Sequence, residues 1–134
     1  MAIYPWVKKY IGIPFVSNGR TEKGCDCYGL VRLVLQNEYG VTLPELSGDY
    51  ENALNRAETL RLFAEQLPVL AADKIPEGEE RAVVVITEGG RPCHLGIVAG
   101  AGYILHAAYK TGTVCQRITH PGLCGRLGGY YRVR

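Results

Sequence analysis

The sequence predicts an α+β domain, with helices first and an antiparallel sheet after them. Three observations carry this. Apolar residues recur at helical spacing after Asp26 and again between residues 51 and 66. Beyond residue 80 the pattern changes to short runs rich in Val, Ile and Tyr, at 82–86, 94–99, 103–107, 113–118 and 129–133. Glycine-rich turns such as Gly100-Ala101-Gly102 separate some of these runs. A chain of 134 residues is sized for one domain, spanning 1–134, with a core of its own.

Each element has a local reason. Ile3 to Tyr10 mixes apolar and basic residues and reads as a short helix, broken at Gly12-Ile13-Pro14-Phe15. Ser17 to Arg20 and Lys23-Gly24 read as loop. Asp26 is suited to cap the next helix and Gly40 to close it. Leu30, Val31, Leu33, Val34 and Leu35 make that helix apolar around much of its circumference, so it should be buried. Pro44 to Tyr50 reads as a loop and Glu51 to Gln66 as an amphipathic helix. The polar stretch 75–80 is a turn region, after which about five strands follow as a meander.

Composition excludes several function classes. Fifteen basic and thirteen acidic residues leave a net charge of +2, too balanced for a nucleic-acid footprint. No apolar run approaches the roughly 20 residues that cross a bilayer, so no membrane segment is expected. The first ten residues lack the basic-then-apolar order of a signal peptide, which predicts synthesis in a cytoplasm outside the standard export route. Five cysteines, an odd number, argue against a full disulfide framework. Cys25-Asp26-Cys27 and Cys93-His94 do not have the spacing of zinc knuckles, and no metal or other cofactor is expected.

A reactive thiol remains. Cys27 falls in the first turn of the buried helix, where unpaired N–H groups favour a thiolate. Taken alone it reads better as a small hydrophobe packed at a helix–loop junction. His94 and His106 differ by twelve. A three-residue turn centred on Gly100 pairs residues whose numbers sum to 200 and sets the two imidazoles directly opposite; a two-residue shift leaves them diagonal on the same face. Beside a thiol they form a relay, one taking the proton and the other holding the first. His120, followed by Pro121-Gly122, reads as a loop residue without a role.

Asp26-Cys27-Tyr28-Gly29-Leu30 resembles the nucleophile motif of the NlpC/P60 cysteine peptidases. Gly12-Ile13-Pro14-Phe15 resembles the stretch that precedes it, His94-Leu95-Gly96-Ile97-Val98 the histidine strand, and Ile104-Leu105-His106-Ala107 the motif of the third, polar member. With Gly19-Arg20, Val31-Arg32 and a closing Gly129-Tyr130-Tyr131-Arg132, the chain looks most like the phage-tail branch, related to the C-terminal part of tail-tip assembly protein K. The resemblance implies a papain-like core and cleavage of amide bonds in bacterial peptidoglycan peptides, commonly between D-glutamate and a diamino acid. It implies Cys27 as nucleophile, His94 as base and His106 as its orienting partner. Where many members carry a tyrosine whose hydroxyl points at the active site, this chain has Phe15, so that donor is absent or comes from Tyr28 or elsewhere.

Arg20 is a candidate for binding a substrate carboxylate, with Phe15 and Tyr28 as neighbours; Arg32 reads as a solvated charge. The expected partners are cell-wall peptide and phage tail-tip proteins, and the expected place is the virion tail tip. The alternative is a structural tail-tip plug or assembly piece with weak or no hydrolysis. An acyltransferase of the same superfamily would show an exposed apolar membrane-binding segment, and the sequence has none.

Overall fold

A computed structural model describes residues 3–43 and 71–133. The loop expected at 44–50 and the helix expected at 51–66 lie outside the described residues. The expected first helix is a 3-10 helix, Pro5–Lys9, opened by a proline at its first position. Trp6 anchors it, packing edge-on against Tyr10 and Tyr39 and donating to the Tyr39 hydroxyl at 3.1 Å.

Strands β1 (Arg20–Thr21) and β2 (Gly24–Cys25) form a small ribbon where the sequence reads as loop. Helix α1 follows at Cys27–Tyr39. Asp26 caps it by accepting the Gly29 N–H at 2.8 Å. Gly40 closes it in the left-handed region at φ 66°, with the Val41 N–H bonded back to the Leu35 carbonyl at 3.0 Å. Arg32 is half-buried and donates to the Leu43 carbonyl, tying the helix to the chain that leaves it.

Six strands make the main sheet: β3 (Ala71–Ile75), β4 (Val83–Glu88), β5 (Arg91–Gly100), β6 (Tyr103–Ala108), β7 (Gly112–Arg117) and β8 (Leu127–Val133). Their order is β3-β8-β4-β5-β6-β7, with every pairing antiparallel. Five of the six were expected. The sixth, β3, has no β-branched alternation; it lies at the sheet edge, where backbone pairing with β8 suffices.

Strand alternation divides the core. Val83, Val85, Leu95, Ile97, Ala99, Leu105 and Ala107 join α1 in the larger cluster. Val84, Ile86, Val98, Ile104 and Leu123 form a second cluster. The 12–16 stretch threads between the sheet and the ribbon. Gly12 and Ile13 exchange backbone bonds with Thr113 of β7, and Pro14 and Val16 bond to Cys25 of β2. Phe15 is thereby carried toward the start of α1.

One buried ion pair locks this junction. The Asp26 carboxylate, fully buried, accepts from the Gly29 N–H and the Asn18 N–H at 2.8 Å each and from Arg20 at 3.0 Å. Arg20 also donates to the Gly19 carbonyl and lies over the Tyr28 ring. Gly29 has no space for a side chain, because a Cβ there would overlap the Gly19 carbonyl. Replacing Asp26 by Ala strands a buried guanidinium and uncaps α1. We expect a loss of about 3–5 kcal/mol in urea denaturation. The double variant Asp26→Ala, Arg20→Met should lose less than the sum of the two single changes.

Candidate active site

Cys27 is the first residue of α1 and is buried. The backbone N–H groups of Leu95 and Tyr28 point at its sulfur. Leu95 directly follows His94, so the sulfur lies against the strand that carries this imidazole. His94 Nε2 is 3.1 Å from His106 Nδ1, with the rings edge-on at 83°. The observed turn is two residues long, Ala101-Gly102, rather than three centred on Gly100, and Gly100 pairs with Tyr103, a sum of 203. A bulge between Val98 and Gly100 takes one back, so Ile97 pairs with Leu105 and Val98 with Ile104, a sum of 202 rather than 200. The two histidines are therefore diagonal, not opposed, and still share a face. Gly96 lies between them; a Cβ there would crowd Ile104 and the Leu105 carbonyl and touch His106.

These three side chains line one cleft of about 270 Å³, together with Phe15, Glu88, Cys93, Ala107, Ala108, Tyr109 and Arg126. A larger cavity of about 360 Å³, bordered by Glu77, Tyr103 and Tyr130, holds none of them. Phe15 packs edge-on against Tyr109, so the cleft wall at this point carries an apolar ring and an exposed phenol beside it. Arg20 and Tyr28 are not in the cleft lining. Arg20 is spent on Asp26, its side chain only 7% exposed, and Tyr28 is buried under it. Cys25 is fully buried in β2, and His120 accepts the Gly122 N–H in an exposed loop.

Two residues that bear on the site, Arg126 in the cleft wall and Gln116 behind His106, were not found from sequence. Arg126 is held by the Thr87 and Gly122 carbonyls at 2.8 Å each, with its guanidinium 4.0 Å from Cys93 Sγ. No local pattern announces it, since a long loop after β7 brings it back. Gln116 Oε1 accepts from His106 Nε2 at 2.8 Å. Its even offset of ten from His106 was the available signal, because residues at even spacing across a hairpin can share a face.

Electrostatics correct the thiolate expectation. Burial pushes the Cys27 thiol up to about 12, and the nearby Asp26 charge adds to this. Burial also lowers His94 to about 3, helped by His106 and the Arg126 cation. A helix start contributes roughly 0.3–1 kcal/mol to a nearby anion. Desolvating an ion costs several kcal/mol, so burial wins. The resting pair is a neutral thiol and a neutral imidazole.

A cysteine at a helix start and an imidazole pair on an antiparallel sheet, opening into one cleft, is the layout of a thiol hydrolase. The chain belongs to the NlpC/P60 family, whose profile matches residues 12–129. This is a family of cysteine peptidases and peptidoglycan hydrolases. Over 104 residues the chain is 33% identical to the Gamma-DL-glutamyl hydrolase of Bacillus subtilis strain 168, covering 75% of this chain. It spans only 21% of that protein's length. Among solved structures, the NlpC/P60 domain of peptidoglycan hydrolase SagA superposes with a TM-score of 0.59 at 18% identity, covering 95% of this chain and 92% of that one. An NlpC/P60 protein from Bacillus cereus ATCC 10987 gives 0.62 at 17% identity, covering 95% and 37%. NlpC1 from Trichomonas vaginalis gives 0.61 at 14%, covering 95% and 41%. At these identities the structural likeness establishes the fold.

Two outcomes follow from the neutral pair. Iodoacetamide at neutral pH should modify exposed Cys124 before Cys27, read by peptide mapping. The Arg126 cation lowers both His94 and His106, so Arg126→Gln should raise them. Protonation then removes the base at higher pH, and the acid limb of kcat/KM should move toward neutrality. Arg126→Lys should leave it in place.

Proposed function

We propose that this chain is a cysteine hydrolase that cleaves amide bonds in bacterial cell-wall peptides, at the bond between D-glutamate and a diamino acid. The observation that carries the reading is the meeting of Cys27, His94 and His106 in one cleft. The name of the Bacillus subtilis relative, a hydrolase of γ-DL-glutamyl bonds, supports the choice of bond.

In this reading His94 takes the Cys27 proton as the sulfur attacks the scissile carbonyl, so charge develops only during attack. Backbone N–H groups at the start of α1, that of Cys27 among them, receive the oxyanion. The tetrahedral intermediate collapses with C–N cleavage, and His94 returns the proton to the leaving amine. Water, deprotonated by His94, then attacks the thioester and restores the thiol. His106 holds the His94 ring throughout.

The motif set from Gly12 to Arg32, with the closing Gly129 to Arg132, supports a place on a phage or prophage tail tip, where the domain acts on the cell wall during entry. Phe15 favours a second reading, a tail-tip plug with weak or no hydrolysis, because the side chain at this position brings no hydroxyl of its own to the cleft wall. Incubation with purified peptidoglycan, followed by mass spectrometry of released muropeptides, separates the two. Hydrolysis predicts new D-glutamyl termini with wild-type protein and at least a 1,000-fold loss with Cys27→Ala, roughly the scale seen when a nucleophile is removed. A plug predicts co-purification with tail-tip proteins in both cases and no release in either.

A further inference from the structure

The Gln116 side chain lies at the end of the imidazole pair. His94, His106 and Gln116 are carried by three neighbouring strands, β5, β6 and β7. Register pairs His106 with Val114 and Ile104 with Gln116, so Gln116 is the diagonal neighbour of His106 on the shared face. The resulting chain is His94 Nε2 to His106 Nδ1 at 3.1 Å, then His106 Nε2 to Gln116 Oε1 at 2.8 Å.

We infer that Gln116 is a positioning residue that fixes the tautomers of both histidines and so makes His94 a base. This rests on the reading of His94 as base given above. An amide oxygen only accepts, so His106 Nε2 must carry the proton. A neutral His106 then has a bare Nδ1, which accepts from His94 Nε2–H. A neutral His94 so protonated has its lone pair on Nδ1. That is the one ring nitrogen left to take the thiol proton, since Nε2 is committed to His106. A donor at position 116 reverses every step: His106 Nδ1 becomes the donor, His94 Nε2 the acceptor, and His94 Nδ1 carries a hydrogen and has no lone pair for the thiol proton. The relay is thus directional, and one amide at its far end sets the direction.

The test compares Gln116→Glu, which only accepts, with Gln116→Lys, which only donates, and Gln116→Met, which does neither. On a D-glutamyl–diamino acid peptide we expect Gln116→Glu to stay within about fivefold of wild type in kcat. Gln116→Lys should fall at least about 100-fold with KM little changed, since a wrong tautomer in a comparable relay costs as much as about 10⁴. Gln116→Met should lie between them. Ring ¹⁵N shifts give a readout independent of turnover. Wild type and Gln116→Glu should show protonated Nε2 and bare Nδ1 on both histidines, and folded Gln116→Lys should show the opposite. Equal kcat in Gln116→Glu and Gln116→Lys, or wild-type rings protonated at Nδ1, would overturn the inference. If wild type and Cys27→Ala are equally inactive, the hydrolase reading fails, and the ¹⁵N pattern alone decides for or against the assignment to Gln116.

Discussion

The site depends on a buried carboxylate that does no chemistry. Asp26 gathers the Gly29 N–H, the Asn18 N–H and the Arg20 guanidinium within 3.0 Å. One side chain thereby caps α1, fixes the turn before β1 and neutralises its own charge. Cys27 is the next residue, so any slack in the Asp26 contacts becomes displacement of the sulfur. The close approach of Gly29 to Gly19 belongs to the same joint, since the helix start can seat there only without a side chain. The arginine that pairs with Asp26 is consequently unavailable to substrate. The positive charge in the cleft comes from Arg126, anchored by two carbonyls from a different part of the chain.

Burial then decides the charge state that this joint delivers. A helix start and two backbone N–H groups favour a thiolate at Cys27, and Asp26 and the dry surroundings oppose it. The opposing terms are larger. His94 is kept neutral by the same burial and by the neighbouring cation. In the proposed mechanism, neutrality on both partners means that the proton moves when the sulfur attacks, not before. A buried resting thiol is also shielded from oxidants and alkylating agents, while the exposed Cys124 is not.

Much of this was legible in the sequence, for definite reasons. Asp26 and Gly40 fit their caps because a short acceptor and a left-handed glycine each suit one end of a helix. The imidazole pair was legible because strand parity survives a register difference of two; the two-residue turn alone would set the rings on opposite faces, and the bulge before Gly100 restores the shared one. Three things were not legible. The β1–β2 ribbon and β3 are held by backbone bonds that leave little trace in side-chain pattern. The role of Arg20 depended on whether Asp26 was buried, and a motif does not report burial. Arg126 reaches the cleft through a loop whose course is set by tertiary contacts. The thiol's charge state was misjudged because a dipole can be read from position in a helix, whereas desolvation requires the surrounding fold.

The central claim is that Cys27 becomes acylated by the glutamyl carbonyl and no other residue does. Enzyme caught during turnover of a D-glutamyl–diamino acid peptide, quenched in acid and mapped by mass spectrometry, tests this directly. The account predicts a thioester on the peptide containing Cys27, carrying the mass of the glutamyl fragment and lost on treatment with hydroxylamine. Product formation with that peptide unmodified, or with the adduct on Cys93 or Cys124, would contradict it.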